Sequence, residues 1–149
     1  MAFIEQRSRE LNMGRFSMKL ELANFGDVFL AERGDMSEDE VRRFECEGVV
    51  DTGAAHLVIP GDAMDALGVE KVWEAKVRYA DNHTQQRPVV KNVWLKLCGR
   101  ESVFSAVVEP NRKTALIGAI VLEALDLVVD CVTQQLHPRD PHFMVTEIE

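Results

Sequence analysis

The chain has 149 residues, 46% of them hydrophobic and 28% charged, with seven Phe, two Trp and one Tyr, which is the make-up of one globular domain rather than a disordered chain. A formal net charge of -8 speaks against nucleic acid and against an anionic membrane surface as partners, because both attract the opposite sign. No apolar run reaches the eighteen or so residues needed to cross a bilayer.

The opening stretch "MAFIEQRSRELNMGR" mixes charges early and lacks a secretion signal's apolar core, so residues 1–12 are expected to be a flexible extension. The three cysteines, Cys46, Cys98 and Cys131, are widely spaced and form no C-x-x-C pair. Neither a disulfide framework nor a metal site is indicated, and a reducing cytoplasm is the expected location. No cofactor is expected.

"RFSMKLEL" (15–22) alternates Phe16, Met18, Leu20 and Leu22 with Arg15, Ser17, Lys19 and Glu21, the period of a half-buried strand. Asn24, Gly26 and Asp27 then read as a turn. "ERGDMSEDE" (32–40) is an acidic excursion, either a solvated loop or a short helical turn capped by Ser37 and Glu40. "RFECEGVV" (43–50) alternates again and delivers Asp51 at a strand end, while "HLVIP" (56–60) is a short strand closed by Pro60. "GDAMDALG" (61–68) has helical spacing, with Asp62 as the expected cap and Gly68 as the stop.

"KVWEAKVRYA" (71–80) and "RPVVKNVWLKLCG" (87–99) bracket a polar tip, residues 81–86, and predict a long hairpin. "SVFSAVV" (102–108) is a further strand, "TALIGAI" (114–120) an apolar segment, and "VLEAL" (121–125) a short helix. "DLVVD" (126–130) and "CVTQQLH" (131–137) predict a strand pair or one bent strand, and residues 139–149 a tail. No repeat or linker interrupts the chain. The expected architecture is a small all-β protein with one or two short helices.

The stretch "VVDTGAAHLVIP" poses a chemical problem, because a carboxylate at the end of an apolar strand is costly unless something uses or neutralises it. Glycine permits a sharp turn whose N–H can bond the carboxylate, and the threonine hydroxyl can pin the loop. The bare Asp-Thr-Gly triplet arises by chance in roughly 3% of chains this long. It needs a second motif to count.

That second motif is "ALIGAIVLEALDLVVD" (115–130). With "VVDTGAAHLVIP" it resembles the retropepsin-like aspartic proteases (clan AA), specifically the short single-domain kind found in bacteria. Asp51 and Gly118 keep that family's spacing, and a hairpin lies between them where the family carries its flap. The resemblance covers roughly residues 13–138. It implies a retropepsin-like closed β-barrel and a homodimer in which two copies of Asp51 face each other across a two-fold axis. Such a dyad shares one proton, so that one Asp51 acts as general base on water while the other donates to the peptide carbonyl. Thr52, Gly53 and Ala54 would complete the active-site loop, and Leu116, Ile117 and Gly118 would form the second motif beside the dyad. Ala54 cannot donate a hydroxyl to the aspartate, which implies a working pH nearer neutral than in relatives with serine there.

The chain departs from the retroviral pattern at two places. The acidic residue usual two positions after the first glycine is Ala55 here, and the arginine usual just after the second is Ala119, so both partners of an ion pair are missing together. The tip lacks the family's flap glycines, although Asn82 tolerates a left-handed turn.

Tyr79, Asp81, Asn82 and His83 are candidate flap residues; Tyr79 could bond to a substrate but reads more readily as a strand aromatic packing on its sheet. His56 reads as an ordinary strand residue beside the loop, and His83 and His137 lack partners at metal-ligand spacing. Asp126 and Asp130 read as caps rather than members of the dyad. Val58 and Ile117 fit either a cleft wall or plain core.

The function that follows from the resemblance is an aspartic endopeptidase acting on a peptide or protein substrate. Two alternatives fit the same residues: a catalytically silent module of this fold that dimerises or binds peptides, and an unrelated β protein whose Asp-Thr-Gly is only a turn.

Overall fold

The computed structural model describes residues 15–149; the expected extension, residues 1–12, lies outside the described residues. The first strand, β1 (Arg15–Asn24), pairs antiparallel with β2 (Arg43–Asp51) over its whole length, from Arg15 opposite Asp51 to Ala23 opposite Arg43. The alternation seen in the sequence is obeyed: Phe16, Leu20 and Leu22 are buried while Arg15 and Ser17 face out.

From β2 the sheet continues through β7 (Ala115–Ile117), β3 (Leu57–Pro60), β6 (Arg100–Glu109) and β5 (Thr84–Leu97). The inner end of β5 then returns to β1, with Glu21 opposite Lys96 and Asn24 opposite Val93, and this closes a six-stranded barrel. Closure leaves none of these strands as a fully open edge. β4 (Lys71–Arg78) stands outside the ring and pairs only with the outer half of β5, making the long hairpin.

Val50, Leu57, Ile59, Leu67, Val90, Val93, Leu95, Leu97, Ile117 and Val121 fill the barrel with almost no exposed surface. Burying each such side chain contributes about 1.5–3 kcal/mol before conformational entropy is subtracted. Ile117 thus belongs to the core rather than to a cleft wall.

Among the described residues three short helices decorate the barrel, and the first lies where the sequence reads as a turn. α1 (Phe25–Glu32) begins at Asn24, whose side chain accepts from the Asp27 N–H at 3.1 Å. The reason for a helix here is tertiary. Val28 packs with Ala23, Val41 and Trp94 in a second apolar cluster. The buried Asp27 carboxylate accepts from Arg42 Nε at 2.8 Å, from Arg42 Nη2 at 3.0 Å and from its N–H at 3.0 Å. Arg42 holds that carboxyl below its ordinary range, against the opposing effect of burial. Downstream, Ser37 accepts from the Asp39 N–H at the start of a 3-10 turn over Glu38–Glu40, at the place the capping pattern predicted.

α2 (Gly61–Leu67) is capped differently from expectation. Pro60 occupies the N-cap and makes no side-chain cap bond, and Asp62 sits in the first turn, where its charge favours the helix dipole. Gly68 ends the helix in the left-handed conformation at φ 62°, as its position predicted. α3 (Ala119–Ala124) starts directly after Gly118, two residues earlier than the apolar pattern suggests.

The chain closes with β8 (Leu127–Asp130) and β9 (Gln135–Pro138), an antiparallel pair rather than one bent strand. Asp130 accepts from the Val132 and Thr133 N–H groups in the turn between them. Residues 139–149 carry no helix or strand, and Asp126 and Arg100 hold part of them. The buried Asp126 carboxylate pairs with Arg139 at 2.9 Å and accepts from the Val145 N–H at 2.9 Å. Arg100 donates to the carbonyls of Asp140 and Phe143. Among the described residues no helix is long and apolar enough to cross a membrane.

Candidate active site

Asp51 is the last residue of β2, and its loop runs to β3 through Thr52, Gly53, Ala54, Ala55 and His56. β7 lies between the two strands that this loop joins: parallel to β2, with Val50 opposite Ile117, and antiparallel to β3, with Val58 opposite Leu116. The second motif is therefore threaded through the opening of the first. The 3.6-residue and two-residue periods of the sequence could not reveal that neighbourhood, because it joins segments distant in the chain.

Backbone groups fix the loop. The Gly53 N–H donates to Asp51 Oδ1 at 2.9 Å, and the Ala54 N–H donates to the Asp51 carbonyl at 3.1 Å. From the first turn of α3, the Ala119 N–H donates to the Ala54 carbonyl at 2.8 Å and the Ile120 N–H to the Ala55 carbonyl at 3.0 Å. Ala55 and Ala119, which lack the side chains of the retroviral ion pair, thus lie on segments tied through main-chain atoms.

Gly118 makes the close approach possible. A Cβ there would lie 2.7 Å from the His56 carbonyl oxygen, 2.8 Å from the Ala54 carbonyl oxygen and 2.8 Å from the Ala55 carbonyl carbon. Only a residue without a side chain fits. Gly48 does a similar service one layer below, where a Cβ would meet Leu20 and Ile117 side chains at 2.2 and 2.7 Å.

The Asp51 side chain retains 15% of its exposure, and Arg15 Nη2 stands 3.1 Å from its Oδ2. This contact was missing from the sequence reading, which treats Arg15 only as a member of a polar strand face. Its signal is the register: directly opposite residues of an antiparallel pair share a face, and Arg15 is opposite Asp51. Thr52 and Gly53 are exposed, and Ala54 is half-buried. Leu116 is half-buried while Gly118 is buried, so the second motif meets the loop mainly through backbone.

His56 lies at the exposed end of the loop. With Trp73, Ala75, Val89, Ser105, Ala106 and Val107 it lines a cavity of about 170 Å³ between the barrel and the hairpin. Trp73 is 60% exposed beside it.

The hairpin tip is tighter than the polar run suggested, because β5 already begins at Thr84. The Tyr79 N–H donates to the His83 carbonyl at 3.0 Å, the Asn82 N–H donates to the Tyr79 carbonyl at 2.9 Å, and Asn82 takes φ 71°. Asp81 pairs with the His83 ring, and that bond lowers the Asp81 carboxyl below its ordinary range. The His83 ring stacks on Tyr79 with centroids 4.5 Å apart.

Tyr79 is tied down. Its hydroxyl donates to Glu109 Oε1 at 2.5 Å, and Arg87 Nε donates to both, at 3.1 Å to the phenol and 3.2 Å to the carboxylate. Burial first, and then Glu109, push the phenol above its ordinary range. Tyr79 therefore braces the hairpin, beside its tip, against the end of β6. Arg87 and Glu109 also escaped the sequence reading, since only the pairing of β5 with β4 and with β6 brings them to Tyr79.

Cys46 and Cys98 line a separate groove with Leu20 and Leu97, and burial raises both thiols. All three cysteines are free, and no cluster among the described residues has the His, Cys, Asp and Glu groups to hold a metal.

No protein-family model and no curated protein matches the sequence. Solved structures do match. A foamy viral protease-reverse transcriptase in complex with an RNA/DNA hybrid is similar at 23% identity with a TM-score of 0.44, over 52% of this chain; the chain spans 10% of that protein's length. The EIAV protease in complex with an inhibitor aligns at 15% identity with a TM-score of 0.52, over 74% of this chain and 88% of that one. The chain therefore has a retropepsin-like fold, an all-β closed barrel with a few short helices, matched by a retroviral protease.

Proposed function

We propose that the protein is an aspartic endopeptidase that works as a homodimer, with Asp51 of each copy contributing to one dyad. The observation that carries this reading is Asp51 itself: a carboxylate at a strand end, in a loop pinned by backbone bonds, within a retropepsin-like barrel. A single chain holds one such carboxylate, so the chemistry needs a second copy.

In the dimer the two carboxylates share one proton, because like charges at that range cannot both ionise. The ionised Asp51 takes a proton from a bound water as its oxygen attacks the peptide carbonyl carbon. The protonated Asp51 donates to the carbonyl oxygen. Collapse of the tetrahedral intermediate breaks the C–N bond and returns a proton to the amine. Thr52 would reach across to the other loop, and the exposed Gly53 leaves room for substrate backbone.

The substrate is an extended peptide laid as an added strand under the β4–β5 hairpin, with an apolar side chain entering the cavity beside His56 and Trp73. No metal or cofactor enters this mechanism, and the three free cysteines suit a reducing cytoplasm.

Asp51→Asn tests the reading on any peptide that the wild type cleaves. Turnover should fall at least about a hundredfold, with circular dichroism unchanged, because the amide cannot take the water's proton. Residual turnover within about tenfold of wild type refutes the role of Asp51.

A second reading, a catalytically silent module that dimerises or binds peptides, draws on the contact between Arg15 and Asp51. It predicts peptide binding with no cleavage by the wild type under any condition that supports the dimer.

A further inference from the structure

The Asp51 carboxylate has two oxygens, and in the single chain both are engaged. Oδ1 accepts from the Gly53 N–H at 2.9 Å, a contact inside the loop. Oδ2 faces Arg15 Nη2 at 3.1 Å. The loop bond survives any pairing of two copies, because it uses only atoms of one chain. The Arg15 contact competes directly with such pairing, because it occupies the remaining oxygen.

We infer that Arg15 is a latch on Asp51: its guanidinium holds the carboxylate oxygen that a paired site needs and swings away when two copies of Asp51 come together. This rests on the homodimeric reading proposed above. With both guanidiniums in place, each carboxylate keeps its negative charge balanced by its own chain. No proton is then shared, and no acid is available for a substrate carbonyl. Release of Arg15 leaves two facing carboxylates, which take up one proton between them.

The geometry suits a latch. The Arg15 side chain is 63% exposed against 15% for Asp51, so the arginine is the partner free to move. Breaking an exposed pair of this kind changes an equilibrium by no more than about fivefold. Nor does the surrounding loop offer Arg15 another anion: Thr52, Gly53, Ala54, Ala55, Ala119 and Ile120 carry no carboxylate.

The test is a double-mutant cycle read by self-association, so it does not depend on catalysis. Sedimentation equilibrium at neutral pH would compare the full-length wild type with Arg15→Gln and Arg15→Lys, each with Asp51 and with Asp51→Asn. Arg15→Gln should tighten dimerisation by about five- to twentyfold, one exposed ion pair being released from each copy. Arg15→Lys should restore the wild-type constant, since an ammonium can hold the same oxygen. With Asp51→Asn in place, Arg15→Gln should change nothing. A weaker or unchanged dimer in Arg15→Gln, or an equal change in both backgrounds, overturns the latch and leaves the peptidase reading standing. Absence of self-association in every variant overturns both. A merely structural role for Arg15 would lower the melting temperature of the Gln and Lys variants alike and leave the cycle flat.

Discussion

The Asp51 loop and the tip of the β4–β5 hairpin are held by opposite means. Main-chain bonds from Gly53, Ala54, Ala119 and Ile120 fix the loop, and neighbouring backbone leaves no space for a Cβ at Gly118. Side chains tie the hairpin to the barrel, through Tyr79, Arg87 and Glu109 beside its tip, while Asp81, Asn82 and His83 are exposed. A backbone-fixed loop keeps a carboxylate in one place whatever its neighbours do. A tip held by exposed side chains can open locally at little cost, as the cover proposed over the substrate would need.

The largest effect should come from breaking the fixed side. Gly118→Ala forces a methyl group against three backbone atoms that no rotamer change can move. It should destabilise the protein by about 3 kcal/mol, the upper end for overpacking, read as a lowered urea midpoint at constant slope. A stability loss too small to measure would mean that α3 and the loop can slide apart, and the contrast with the hairpin would disappear.

Loosening the other side should cost less and stay local. Tyr79→Phe removes the phenol that bridges Glu109 and Arg87, at about 1 kcal/mol for one net hydrogen bond. Amide exchange should quicken over residues 79–84, while the barrel strands keep their protection. Equal quickening in β2 and β7 would show that hairpin and barrel open as one unit.

The smallest effect belongs to the tip. Asn82 holds φ 71°, a left-handed conformation that glycine adopts freely and most other residues resist. Asn82→Gly should therefore leave stability within about half a kcal/mol of wild type. Asn82→Ala should cost about 1 kcal/mol. Thermal melts of the two variants side by side check the difference.

Much of the barrel can be read from local pattern. The alternation of Phe16, Leu20 and Leu22, the breaks at Pro60 and Gly68, and the polar stretch that turns the hairpin each follow from a few adjacent residues. Side-chain period and backbone preference are short-range, so strands, hairpin and the position of Asp51 at a strand end were legible there. The Asp-Thr-Gly and Leu-Ile-Gly segments also announced themselves as a pair through a family resemblance.

The helix over Phe25–Glu32 was not legible, because Asn24, Gly26 and Asp27 individually favour turns. Only the pairing of the buried Asp27 with Arg42 and the packing of Val28 against Trp94 turn that segment into a helix. The brace of Tyr79 on Glu109 and the contact of Arg15 with Asp51 depend on strand register and barrel closure. Local pattern along the chain is enough to say which segments become strands and where the carboxylate sits. Tertiary structure decided which charges meet it, because residues distant in the chain become neighbours only when the sheet closes on itself.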